Sequence, residues 1–273
     1  MNNWYDDLCE YYSVDPETAL KLGTRASGRK PDLPGSKTCD AVSGMTFEDI
    51  WEMKERKDNK SIFDFYKDQG AWSAFRQCVR HKDLSMFHIN MLSTTMKYSK
   101  ARPGFHICEY GCGVAPFLNT FVECLSQDSS QARISISDVD DCEHFKFAEW
   151  RLKKKIEKRK IDVILNVKPV MPDSLPKYDS KLDLVLVFEV LEHVPSPVAT
   201  IENLYNQLND KGVIIENFIK PPPREEEEDD GPDLLSAALE RDEYYNFLNN
   251  NFDLVSGPTP DKGPNQTRTW RKK

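Results

Sequence analysis

Residues 105–116, FHICEYGCGVAP, constrain this chain more than any other stretch: a short apolar strand runs into a carboxylate and then into two glycines one residue apart. Phe105, Ile107 and Cys108 supply a buried strand, and Gly111 and Gly113 let the backbone turn sharply and approach a ligand with no Cβ in the way. Leu118, Phe121, Val122 and Leu125 follow at helical spacing, which points a helix N-terminus with free N–H groups at whatever sits over the glycines. Strand, glycine turn and helix make the first half of a βαβ unit of the kind that grips nucleotide-like ligands.

The flanking residues choose among such ligands. A dinucleotide fingerprint wants a third glycine where this chain has Pro116, and a pyrophosphate has no use for Glu109, two residues before Gly111. Both features oppose a nicotinamide oxidoreductase. A carboxylate at that point suits a cation. The stretch resembles motif I of class I S-adenosylmethionine-dependent methyltransferases, acidic-x-Gly-x-Gly-x-Gly, with Glu109, Gly111 and Gly113 in register and Ala115 in place of the last glycine. That resemblance implies S-adenosylmethionine as cofactor, S-adenosylhomocysteine as product, and Glu109, Tyr110, Gly111 and Gly113 as cofactor-binding residues.

Strand and helix alternate after this motif. Residues 133–137, with Ile134 and Ile136 apolar, read as a second strand ending at Asp138, Val139 and Asp140. Asp138 lies 25 residues past Gly113, where a doubly wound fold brings its second strand tip beside the first glycine turn. It is expected to accept hydrogen bonds from both ribose hydroxyls, with Val139 against the adenine. Residues 161–167 read as the third strand, but Asn166, Val167 and Lys168 follow where the family often carries an acid, so the adenine-end contact stays unassigned. Residues 182–190 form the most apolar run and hence a central parallel strand. They lead into FEVLEHVP, residues 188–195, which resembles the family's pattern after the fourth strand and adds Phe188 and Glu189 to the cofactor contacts. A helix from Pro197, stopped by Gly212, precedes a fifth strand at 213–219; a helix over 234–249 then leads into strands at 252–256 and 267–270. The resemblance implies an α/β fold: a seven-stranded, mostly parallel Rossmann-like sheet of order 3-2-1-4-5-7-6, with helices on both faces, over residues 101–273.

Residues 1–100 read as a mainly helical cap. Trp4, Leu8, Tyr11 and Tyr12 share one helical face, and Asp15 with Pro16 marks a second start. Residues 23–44 form a long loop with Arg25, Arg29, Lys30 and Lys37, a candidate lid, and Thr46 with Asp49 resembles a capping box. Trp72, Phe75, Cys78 and Val79 fall on one face, followed by Leu84, Phe87, Met91 and Leu92. Tyr66 and Trp72 are candidates for closing over the cofactor. Later, Phe145, Ala148, Leu152 and Ile156 make an apolar stripe, while Arg151, Lys153, Lys154, Lys155, Lys158, Arg159 and Lys160 read as a solvated face. Residues 221–232, PPPREEEEDDGP, read as a solvated connector.

The 273 residues carry a net charge of -8, which opposes a non-specific grip on nucleic acid. No run of 18 apolar residues exists and the first ten residues lack a signal-peptide pattern, so a soluble, cytoplasmic protein without a membrane partner is expected. Seven cysteines without a CxxC pair point to reduced thiols rather than disulfides or a zinc site. The reaction expected is methyl transfer to a small molecule, such as a sugar or another natural-product intermediate, with His193 as general base. Glu189, Glu192 and His193 also resemble three of the four metal ligands of small-RNA 3′-end 2′-O-methyltransferases, but no histidine follows His193 to complete the set, and no metal is expected. A non-catalytic S-adenosylmethionine-binding subunit is the remaining alternative.

Overall fold

The computed structural model describes residues 4–19, 58–83, 90–91, 93–94, 97, 104–125, 131–218, 234–260 and 266–273. The loop at 23–44, the capping box at Thr46, Leu84, Phe87 and Leu92, and the connector at 221–232 lie outside the described residues. The chain divides into two compact units, a helical one (Met1–Thr94, Cys112–Gln127, Asp138–Ile161) and a sheet one (Thr95–Gly111, Asp128–Ser137, Asp162–Lys273).

In the helical unit, α1 spans Trp4–Tyr12, α2 Asn59–Asp68, α3 Ala71–Asp83, α4 Pro116–Cys124 and α5 Glu143–Arg159. After α1 the Asp15 side chain accepts the Thr18 N–H at 2.9 Å, the cap expected there. A second cap opens α2: Asp58 accepts from the Ser61 N–H at 2.7 Å while the Ser61 hydroxyl receives the Asp58 N–H at 3.2 Å. Along α5, Phe145, Ala148 and Leu152 of the predicted stripe are buried and Ile156 is half-buried, while Phe147, outside that stripe, is buried as well. Its basic residues are not all solvated, however. Phe147, Arg151 and Lys155 recur every fourth residue and form one buried row. The Arg151 guanidinium lies 3.4 Å from the centre of the Trp4 ring and donates to Asp7 at 2.7 Å. Lys155 donates to the Asn119 carbonyl at 3.1 Å and to Glu123 at 2.6 Å, and burial pushes its ammonium down to about 8. A charge pattern alone does not distinguish these two from exposed Lys153 and Lys158.

The sheet unit holds β1 (His106–Tyr110), β2 (Ala132–Ser137), β3 (Val163–Val167), β4 (Leu182–Val187), β5 (Leu208–Glu216), β6 (Phe252–Ser256) and β7 (Arg268–Lys272). Their order is β3-β2-β1-β4-β5-β7-β6, parallel from β3 to β5 and antiparallel at β7 and β6, as the resemblance implies. Every residue of β1 and β4 is buried, as befits parallel strands with neighbours on both sides, although His106, Glu109 and Asp183 interrupt their apolar runs. The register pairs Tyr110 with both Ser137 and Val187, and Val187 with Glu216. Four strands therefore end in one row, the edge at which open parallel sheets take their ligands.

Element ends differ from expectation by a few residues at several places. β4 stops at Val187 instead of 190, because Glu189 takes a left-handed φ of 54° and turns the chain away. α6 spans Pro197–Gln207 and stops five residues before Gly212. β5 starts at Leu208 and carries a bulge: Leu182 pairs with Leu208 but Leu184 with Val213, and Lys211 absorbs the extra length at φ 61°. The helix over 234–249 is two, α7 (Leu235–Leu239) and α8 (Arg241–Asn251). Glu240 stands at the break, its carboxylate accepting from the Ser196 hydroxyl at 2.8 Å and the Val198 N–H at 3.1 Å at the start of α6.

Candidate functional site

In the sheet unit the site begins at the row of strand tips. Glu109 and Tyr110 are both buried in β1, at 4% and 2% exposure. Gly111 follows at φ 63°, and a Cβ there would collide with the side chain of Val190. The first glycine is thus required twice, by its left-handed backbone and by the approach of the segment after β4. That segment runs from half-buried Phe188 through exposed Glu189 to Val190. Glu189 is held on two sides by Asn217, directly after β5: its N–H donates to Asn217 Oδ1 at 2.9 Å, and its carboxylate accepts from Asn217 Nδ2 at 2.6 Å. A non-glycine residue in this conformation persists only where its surroundings fix it. Buried Glu192 gives its carbonyl to the Leu234 N–H at 2.8 Å, and half-buried His193 closes a 3₁₀ turn, Leu191–His193, by donating its N–H to Val190 at 2.8 Å. Among the described residues no group of three His, Cys, Asp or Glu side chains is placed to hold a metal ion.

In the helical unit the motif residues run on from Cys112. The N–H of Gly113 donates to Asp138 Oδ2 at 2.6 Å, and the N–H of Val114 donates to Gln77 Oε1 at 3.0 Å. Gly113 sits at φ 53°, and a Cβ on it would collide with the Gln77 side chain. The third motif position, Ala115, takes φ 49° and ψ 56° just before Pro116 opens α4. An alanine therefore adopts the left-handed backbone that a glycine would take at lower cost.

Asp138 is 9% exposed, and its other oxygen accepts from the Val139 N–H at 2.7 Å and from His144 Nε2 at 3.3 Å. Burial pushes its carboxyl up, but the charge and hydrogen bond of His144 and the two backbone donors outweigh that and hold it below the ordinary carboxylate value. Three of roughly four acceptor positions on the carboxylate are thus occupied from within the chain, so Asp138 also closes the glycine turn. Val139 beside it is half-buried.

Tyr66 is half-buried on α2, edge-to-face against Phe65 at 5.2 Å, and Trp72 is buried on α3 with the Arg76 guanidinium 5.4 Å from its ring centre. The α3 residues that reach the glycine turn are different ones, Gln77 directly and Ser73 through His144. Ser73, Gln77, His144 and Asn217 are the participants that sequence reasoning missed. Polar Ser73 and Gln77 four residues apart, beside an apolar face, offered the one available signal.

Among the described residues no helix is long and apolar enough to cross a membrane. The methyltransferase domain family matches residues 86–240, more than half of the chain. No curated protein matches the chain by sequence. Among solved structures the chain is similar to magnesium protoporphyrin IX methyltransferase from Synechocystis with bound S-adenosylmethionine, at 13% identity and a TM-score of 0.48, covering 80% of this chain and 97% of that one. It is also similar to an S-adenosylmethionine-dependent methyltransferase from Aquifex aeolicus, at 14% identity and a TM-score of 0.46, covering 71% of this chain and 96% of that one.

Proposed function

The chain belongs to the class I S-adenosylmethionine-dependent methyltransferase family, and from that premise we propose that it methylates a small molecule, such as a sugar or another natural-product intermediate. The observation that carries the reading is the glycine turn at the row of strand tips, with buried Glu109 before it and anionic Asp138 closing it. That set of groups suits the cofactor: Glu109 for a cation, Asp138 to accept from a ribose hydroxyl, and Val139 for the adenine face. Tyr110, Gly111 and Gly113 shape the backbone around it, Phe188 and Glu189 border it from the tip of β4, and Tyr66 and Trp72 are assigned to covering it as part of a cap over residues 1–100.

S-adenosylmethionine, when bound, supplies a methyl group already activated on sulfur, so the protein's task is chiefly alignment and exclusion of water. An oxygen nucleophile also needs its proton removed, and His193 in the turn after β4 is the base we assign to it. A net charge of -8 favours a small acceptor over a phosphate backbone.

The test is transfer of label from methyl-labelled S-adenosylmethionine to panels of small molecules and of short RNAs, with and without divalent metal. Label on a small molecule is the expected result. Metal-dependent label on RNA 3′ ends would replace the acceptor class, and cofactor uptake without transfer to either panel would turn the reading toward a non-catalytic subunit. With an oxygen acceptor, His193→Asn lowers kcat and leaves cofactor affinity unchanged.

A further inference from the structure

In the sheet unit one buried side chain ties two strand tips together. Asn217, directly after β5 and 6% exposed, accepts the Glu189 N–H through Oδ1 at 2.9 Å and donates through Nδ2 to Glu189 Oε1 at 2.6 Å, just beyond the tip of β4. The partners fix which way round the amide stands. A backbone N–H only donates and a carboxylate only accepts, so the reversed amide would set donor against donor and oxygen against oxygen. One side chain thereby holds both the backbone and the carboxylate of Glu189, a residue at a left-handed φ of 54°.

The holder is itself held on both sides. Before it, Glu216 accepts from Trp270 Nε1 of β7 at 3.0 Å and from the Phe218 N–H at 2.6 Å; after it, the Phe218 carbonyl accepts from the Tyr245 hydroxyl of α8 at 2.6 Å. Glu216 and Phe218 are 0% and 1% exposed, so Asn217 projects from a fixed, buried backbone. Glu189, by contrast, is exposed. Its neighbour Val190 fills the space that a Cβ on Gly111 would need, so the backbone at Glu189 also sets how the segment after β4 meets the first motif glycine. A left-handed residue other than glycine returns to commoner backbone angles once its restraints are removed, and at this position the change carries Val190 with it.

We propose that Asn217 is the positioning residue for the β4 border of the cofactor site: its two bonds hold the Glu189 carboxylate at the strand tips and Val190 against Gly111, and cofactor affinity depends on that pairing. This rests on the reading that the glycine turn binds S-adenosylmethionine. Asparagine suits the task because it offers one acceptor and one donor. An aspartate in its place keeps the acceptor for the N–H and turns its second oxygen on the Glu189 carboxylate, which opens the pair. With glutamine at 189 the same aspartate accepts from both the N–H and the amide, and the pair closes again with donor and acceptor exchanged.

The experiment is calorimetric titration of the full chain with S-adenosylhomocysteine in a double-mutant cycle of wild type, Asn217→Asp, Glu189→Gln and the double variant, each checked for folding by thermal unfolding. Beside Glu189, N217D should weaken affinity roughly fivefold or more; in the E189Q background the same substitution should change it by about twofold or less. Both arms add the same charge at position 217, so what differs between them is the pair. Equal factors in the two backgrounds, or unchanged affinity in N217D, would overturn the proposal, since a role confined to general stability acts alike in both. Should N217D not fold, Asn217→Ala decides it in wild type and in Glu189→Gly. Glycine takes the left-handed φ unaided, so N217A should cost affinity beside Glu189 and little in E189G, and an equal cost in both rejects the clasp. Absence of binding to wild type would instead remove the cofactor assignment, and this proposal with it.

Discussion

Among the described residues each unit buries an acid–arginine pair, and the two pairs end in opposite states. In the helical unit Asp7 accepts from Arg151 Nε at 2.7 Å and from Lys154 at 3.1 Å. Burial raises its carboxyl, yet the two cations outweigh that and hold it below its ordinary 3.8. In the sheet unit Glu216 has its nearest Arg268 nitrogen at 3.7 Å, too long for a good hydrogen bond, and is served at shorter range by neutral donors, Trp270 Nε1 at 3.0 Å and the Phe218 N–H at 2.6 Å. There burial wins and the carboxyl is pushed above its ordinary 4.5. Both acids and both arginines are nearly or fully inaccessible. What separates the pairs is the closeness of formal charge: two cations at hydrogen-bond distance outweigh the desolvation of Asp7, whereas Arg268 and the neutral donors together do not outweigh that of Glu216.

The largest effect should come from Asp7→Ala, which leaves Arg151 buried without its hydrogen-bonded carboxylate. A loss of about 3–5 kcal/mol by denaturant unfolding is expected. The pH dependence has a definite sign. A carboxyl held low contributes stability above its unfolded value near 3.8 and loses it as the pH falls through the folded value, so D7A should also lose part of the acid-unfolding limb. Glu216→Gln should change stability by about 1 kcal/mol or less, since the amide keeps an acceptor for Trp270. With its folded value raised, the Glu216 contribution is complete below about 4.5 and is lost as the pH rises, so E216Q should gain on wild type toward neutral pH. Equal costs for the two substitutions would break the contrast. The last test concerns backbone rather than charge. Ala115→Gly relieves a left-handed alanine of about 1–2 kcal/mol and returns about 0.5–1 through the freer unfolded chain, a net gain of about 0.5–1 kcal/mol at the middle of those ranges and about 1.5 at most, read as a higher Tm.

The sheet was legible because its signal is local. β1 and β4 are buried and largely apolar, β2 ends at an acid, and glycines mark the turn, so the strands stood out and the resemblance implied their order, with errors of a few residues at the ends. Those errors have causes that no local pattern carries, such as the left-handed backbone of Glu189 fixed by Asn217, 28 residues away. The helical unit was less legible for the same reason. Lys155 and Lys153 look alike in sequence, and only the partners at Asn119 and Glu123 make the first a buried residue. The site divides in the same way. Glu109, Gly111, Gly113 and Asp138 announce themselves by spacing, whereas His144, Ser73 and Gln77 matter through pairings of 6 to 71 residues' separation.

The central claim is that the glycine turn, closed by Asp138, holds the methyl donor. Calorimetric titration of wild type and Asp138→Ala with S-adenosylhomocysteine tests it most directly. The account predicts one site per chain in wild type and affinity weakened roughly tenfold to more than a hundredfold in the variant, the worth of one charge-assisted hydrogen bond or more. Equal affinity in two folded proteins, or no heat with wild type, would contradict it.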